Sequence, residues 1–154
     1  RHHLFQVVAR STGEPVTRIG LSVGKQVGGA VVRNRLKRRL RMILRDLPWR
    51  EGFHVVLLDV RGRLIRAAQV AEGSLAQCPV SPRDALRPAV REGAHGVVFC
   101  HNHPSGDPSP SPDDADLTER LRAAADLVGV LARDHVIVAA SGYFSFVEAG
   151  RWRR

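Results

Sequence analysis

The stretch GVVFCHNHPSGDPSPSPDD, residues 96–114, constrains the fold of this chain more than any other. Its apolar start, Gly96 to Cys100, reads as a buried strand that runs without a break into His101, Asn102 and His103. A Pro-rich loop follows, and then Ser111-Pro112-Asp113-Asp114, a good helix start with serine as N-cap and proline at the first helical position. Side chains alternate along an extended chain, so His101 and His103 project to one side and Asn102 to the other. By the same alternation Cys100 faces away from His101 and is expected as a buried core thiol. A strand end, a loop and a helix start must therefore meet at one point.

Written as H-x-H-x7-S-x-x-D, the segment offers two imidazoles on one side of a strand and, if the loop folds back, the Asp114 carboxylate. Two histidines and one carboxylate leave a fourth tetrahedral position open, the pattern of catalytic rather than structural zinc. Zinc lowers the pKa of a bound water to about 7 and so makes a nucleophile available at neutral pH. The plainer alternative is that Asp114 only caps a helix and that each histidine is an ordinary core or surface residue. Four groups at this spacing favour the metal site, with His101, His103 and Asp114 as ligands. Asp107, Asp113 and Asp116 read as solvated charges.

Around this motif the chain alternates strands and helices. LFQVVA at 4–9 and RIGLSV at 18–23 are β-rich runs separated by a Gly- and Pro-containing turn, and can pair as a hairpin. VVRNRLKRRLRMILRDL places Leu36, Leu40, Ile43, Leu44 and Leu47 at helical spacing before Pro48. Strands are expected at 53–60 and 64–73 around Gly62, a helix over 82–93, and a second helix from Ser111 to about Leu131 with Leu117, Leu121, Ala124, Leu127, Val128 and Leu131 on one face. Residues 135–140 and GYFSFVEAG complete the pattern as strands. With 44% hydrophobic residues the chain can bury a core, and the order from residue 53 onward implies an α/β or α+β fold, a mixed sheet flanked by helices.

Charge divides the chain in two. Residues 1–50 hold 12 Lys/Arg against Glu14 and Asp46, a net of +10, whereas residues 51–154 carry a net of −1. Such asymmetry points to a polyanion, usually nucleic acid, as the partner of the first third, with a merely solvated basic helix as the alternative. Domains are expected over 1–48 and 49–154. No apolar run is long enough for a membrane helix, no signal peptide is evident, and Cys78 and Cys100 are too few for a disulfide framework, so a cytoplasmic protein is expected.

HNHPSGDPSPS, preceded by SPRDALRPAV and followed by DHVIVA, resembles the RadC family of the JAMM/MPN+ metalloproteins over residues 51–149. The resemblance implies a cytidine-deaminase-like sheet, zinc (Zn2+) on His101, His103 and Asp114, and hydrolysis of an amide or isopeptide bond. It also implies that Ser111 supports the tetrahedral intermediate and that an upstream glutamate acts as general base. Glu51, just ahead of an apolar strand ending in Leu58-Asp59, occupies that place, with Glu72 and Asp84 as alternatives. A second stretch, RIGLSVGKQVGGAVVRNRLKRRLR at 18–41, resembles the bacterial ribonuclease P protein component, without that family's leading segment. That likeness implies a role in tRNA 5′-leader processing, with Arg33, Asn34, Arg35, Lys37, Arg38, Arg39 and Arg41 as RNA contacts. Aromatic residues do not interleave with these cations, so the expected mode is contact with the phosphate backbone.

Overall fold

A computed structural model describes residues 6–11, 17–22, 52–73 and 80–152, the first two segments as backbone. Strands β1 (Gln6–Ser11) and β2 (Thr17–Ser22) pair antiparallel, from Gln6 opposite Ser22 to Ser11 opposite Thr17, as the two β-rich runs led us to expect. The basic helix expected after them, and with it Arg33, Asn34, Arg35, Lys37, Arg38, Arg39 and Arg41, lies outside the described residues. Glu51 does as well.

The rest of the described chain runs β3 (Gly52–Leu58), β4 (Leu64–Glu72), α1 (Pro82–Arg91), β5 (Gly96–His103), α2 (Pro112–Leu127), β6 (Leu131–Ala139) and β7 (Gly142–Ser145). Five of these strands form one sheet in the order β4-β3-β5-β6-β7. β5 pairs antiparallel with β3 and parallel with β6, and α2 makes the crossover that a parallel pair requires. This is the mixed α/β sheet expected. Both helices pack on the face carrying Phe53, Val55, Leu57, Val97 and Phe99. α1 contributes Ala85, Leu86 and Ala89, and α2 contributes Leu117, Leu121 and Ala125. A smaller cluster of Leu58, Val98, Cys100 and Val136 covers the alternate residues of β5. Cys100 is thus the buried thiol that alternation predicted, and burial pushes it up to about 12, where it stays protonated.

Local chemistry sets the element ends. Ser81 caps α1 by accepting from Asp84 N at 3.1 Å, with Pro82 at the first helical position. α2 ends at Leu127 rather than near Leu131, because Gly129 takes φ +74 and turns the chain into β6. Leu127, Val128 and Leu131, assigned by periodicity to the buried face, are exposed. β6 consequently begins four residues before the expected start at His135. β7 stops at Ser145, short of the expected nine-residue strand, where Asp134 ties the chain into a turn. Its carboxylate accepts from His135 N at 2.7 Å, Ser145 Oγ at 2.6 Å and Val147 N at 3.1 Å.

Burial pushes Asp134 up to about 6, against those hydrogen bonds and with help from nearby Glu148. The folded protein therefore holds a proton that an unfolded aspartate has released between the ordinary value of 3.8 and about 6. It binds more protons than the unfolded chain across that window, so this residue's contribution to stability falls as pH rises through it. Urea unfolding at pH 4 and pH 7 should show the wild type losing stability relative to Asp134→Asn on going to the higher pH. The opposite sign would mean that the three donors outweigh burial.

Candidate metal centre

Strand β5 ends in the motif residues, and its neighbours hold that end in place. Phe53 of β3 stands opposite His101 on one side and Ile137 of β6 on the other. Phe53 also stacks on the His101 ring, with centroids 6.0 Å apart and planes 9° apart. Asn102, pointing away from the histidines as alternation requires, accepts from the Gly52 N–H at 2.7 Å. Gly52 itself admits no side chain, since at φ +152 a Cβ would lie 2.2 Å from the Ala71 carbonyl oxygen.

His101, His103 and Asp114 converge, each offering a ligand atom within 4.8 Å of the others. The two Nε2 atoms are 3.0 Å apart, His101 Nε2 is 3.1 Å from Asp114 Oδ1, and His103 Nε2 is 3.2 Å from Asp114 Oδ2. Asp114 is also the N3 residue of α2: its Oδ2 accepts from Ser111 N at 2.7 Å and from Ser111 Oγ at 2.6 Å, and its own N–H donates to Ser111 Oγ. Oδ1 faces His101, while Oδ2 both takes the Ser111 cap and faces His103. Burial alone pushes Asp114 up, but the His101 ring, which donates to it only when charged, and the Ser111 hydroxyl and amide outweigh it and hold the carboxyl well below the usual range.

The hydrogens in this cluster can be placed from their partners. His103 Nδ1 lies 3.0 Å from the Asp107 carbonyl, which can only accept, so the proton is on Nδ1 and the neutral ring's Nε2 is bare. Thr118 Oγ1 is 2.6 Å from the Asp114 carbonyl and 2.6 Å from His135 Nδ1. Each contact needs one hydrogen, so the hydroxyl donates to the carbonyl and His135 Nδ1 donates to the hydroxyl. His135 Nε2 then accepts from His101 Nδ1 at 2.8 Å, which leaves His101 Nε2 bare. Two bare ring nitrogens and a carboxylate thus face one another with no proton between them, an arrangement that only a cation relieves. Burial lowers the proton affinity of the His101 ring, although the Asp114 carboxylate beside it acts in the other direction. A metal ion fits.

Access is from the His103 side: its side chain is 19% exposed, against 1% for His101 and 4% for Asp114. The loop beyond His103 is fastened to the β6–β7 turn, where Gly106 O accepts from Ser141 N at 3.1 Å and from Ser141 Oγ at 2.6 Å. Of the other carboxylates weighed, Asp84 is a helix-capping residue bonded to Ser81 and paired with Arg87, and Glu72 stands on β4 opposite Gly52. Asp107, Asp113 and Asp116 are exposed, as expected of solvated charges. Sequence reasoning missed His135 and Thr118. The available signal was a histidine and a threonine at positions that periodicity assigns to the core.

A sheet of this topology with a His-His-Asp cluster at the end of its central strand defines a metal-binding α/β domain of the JAB type. The family model described as the RadC-like JAB domain matches residues 32–151, and the chain belongs to that family. It is 50% identical over 101 residues to a UPF0758 protein of Trichlorobacter lovleyi, covering 66% of this chain and 44% of that relative. To the UPF0758 protein of Thermotoga maritima it is 46% identical over 101 residues, covering 66% and 46%. To that of Aromatoleum aromaticum it is 45% identical over 112 residues, covering 72% and 49%. The chain thus spans less than half the length of these curated relatives. The family match begins inside the basic third, at residue 32, and the comparisons do not support the likeness to ribonuclease P protein.

If the three residues act as one ligand set, protein prepared in metal-replete buffer should carry about one divalent ion per chain by elemental analysis, and Asp114→Ala should carry none. Equal metal in both would separate Asp114 from the site.

Proposed function

We propose that this chain carries a zinc-dependent hydrolase site that cleaves amide or isopeptide bonds, with the basic N-terminal third serving as a nucleic-acid-binding arm. The observation behind the first half is the convergence of two bare imidazole nitrogens and a carboxylate at a point reached from solvent. The contacts of 3.0–3.2 Å among these atoms are close to the edge of about 3.3–3.4 Å in a tetrahedron with metal bonds of about 2.0–2.1 Å. Bound there, zinc supplies Lewis acidity that polarises a carbonyl and acidifies water.

The protein's own residues supply the rest. Glu51 acts as general base, taking a proton from the attacking water and returning it to the leaving amine. What supports its candidacy is the next residue: Gly52 is bonded to Asn102, the residue between the two histidines, so the backbone beside Glu51 is anchored to the motif. Ser111 holds Asp114 through its hydroxyl and amide, and the same hydroxyl would steady the tetrahedral intermediate by turning its one hydrogen from Asp114 Oδ2 to the intermediate's oxygen, while the amide keeps Asp114 in place. Phe53 keeps water from the inner side of His101.

Zinc-loaded protein should hydrolyse members of a panel of peptide and lysine-isopeptide reporters in 18O-water, with the label entering the new carboxylate. Glu51→Gln should keep its zinc and lose about 10²–10⁴-fold in turnover. Full activity with zinc retained would remove Glu51 from the mechanism. Zinc binding by the wild type without hydrolysis of any reporter would favour a binding module.

The arm reading rests on the net charge of +10 in residues 1–50. Backbone phosphate contacts by Arg33, Asn34, Arg35, Lys37, Arg38, Arg39 and Arg41 make RNA affinity steeply salt-dependent. Replacing one contacting cation should reduce the slope of log affinity against log salt by about 0.7–0.9. A flat salt response in the wild type would overturn this half.

A further inference from the structure

We propose that His135, with Thr118 behind it, is the positioning residue that presents His101 to a metal ion. The inference rests on the metal-site reading above and gives a role in it to two residues outside the ligand set. His135 is fully buried and Thr118 is 2% exposed. His135 lies in an aromatic layer, stacked on Phe146 at 5.4 Å and 11°, edge-on to Phe99 at 6.2 Å and 5.6 Å from Phe53. A phenylalanine would pack there without the cost of burying two ring nitrogens. Both nitrogens are instead used: Nε2 accepts from His101 Nδ1, and Nδ1 donates to Thr118 Oγ1.

These bonds make a circuit between the two ligand-bearing elements. It starts at the backbone carbonyl of Asp114 on α2, passes through Thr118 and His135, and ends on the ring of His101 on β5. Two consequences follow for the cluster. The His101 proton is held on Nδ1, which keeps the Nε2 lone pair free, and the ring is held against rotation at the angle that faces Asp114. Hydrogen bonds to the far nitrogen of a ligating histidine fix its tautomer and raise its basicity, and losing one typically costs about 10–100-fold in metal affinity.

The test compares His135→Phe, His135→Gln and Thr118→Val with the wild type. Zinc affinity is measured by competition with a chromophoric chelator, thermal unfolding is measured without metal, and ring tautomers come from 15N–1H correlation spectra of the metal-free protein. His135→Phe keeps the aromatic packing but leaves His101 Nδ1 without an acceptor, so it should stay folded at a modestly lower unfolding temperature and bind zinc about 10–100-fold more weakly. His135→Gln, whose side-chain oxygen can accept from His101 Nδ1, should recover most of the loss. Thr118→Val should lose affinity in the same direction. His101 of the wild type should carry its hydrogen on Nδ1. The proposal is overturned if His135→Phe binds zinc as tightly as the wild type, or if wild-type His101 carries its hydrogen on Nε2. A wild type that binds no zinc defeats the metal-site reading instead, and the tautomer of His101 then decides the present proposal by itself.

Discussion

Strand β5 is hydrogen-bonded on both edges, antiparallel to β3 and parallel to β6, and the register of those two ladders sets the distances at the cluster. Because side chains alternate, a slip of one residue would carry His101 and His103 to the face now occupied by Val98 and Cys100, and would bring Asn102 to the face of α2. Val97 and Phe99 pack under the helices while Val98 and Cys100 pack on the opposite face. Burial alone would tolerate a slip in a strand apolar on both faces, so the register rests on the fit of these side chains into their two clusters, and the last three residues inherit their orientation from the ones before.

The surroundings of the cluster are dry on the inner side. Phe53, Phe99 and Phe146 enclose His135, and Phe53 covers His101. Hydrogen bonds in such a setting are electrostatically stronger than in water, and an unmatched polar atom there is correspondingly costly. This is why a single consistent order of hydrogens, from the Asp114 carbonyl to the His101 ring, matters to the local structure. One carboxylate serves two tasks there: Oδ1 faces His101, and Oδ2 accepts the Ser111 cap while facing His103.

Much of the site was legible in the sequence because its three converging residues are close together in the chain and each carries a local signal. His101 and His103 follow an apolar strand, and Asp114 follows a serine and a proline that start a helix. The two helix starts and the central strand were legible for the same reason. His135 and Thr118 were not, since their meaning depends on contacts 34 and 17 residues away, and a histidine in an apolar strand looks like any other core position. The extent of α2 was misread because Leu127, Val128 and Leu131 continue its apolar rhythm, although Gly129 interrupts the helix and leaves them exposed. The length of β7 was misread because its end is set by Asp134 across the sheet, which no local pattern announces.

The three converging residues fall within the 14 positions from His101 to Asp114, whereas the groups that orient them come from residues 52, 118 and 135. A chain that has lost its fold still keeps both histidines and the aspartate tethered by a short loop, whose closure entropy is small. Whatever affinity for the ion that tether leaves in the denatured ensemble subtracts from what the ion adds to the stability of the native state. The scaffold's contribution to metal-linked stability accordingly lies in the difference between the two affinities rather than in either one.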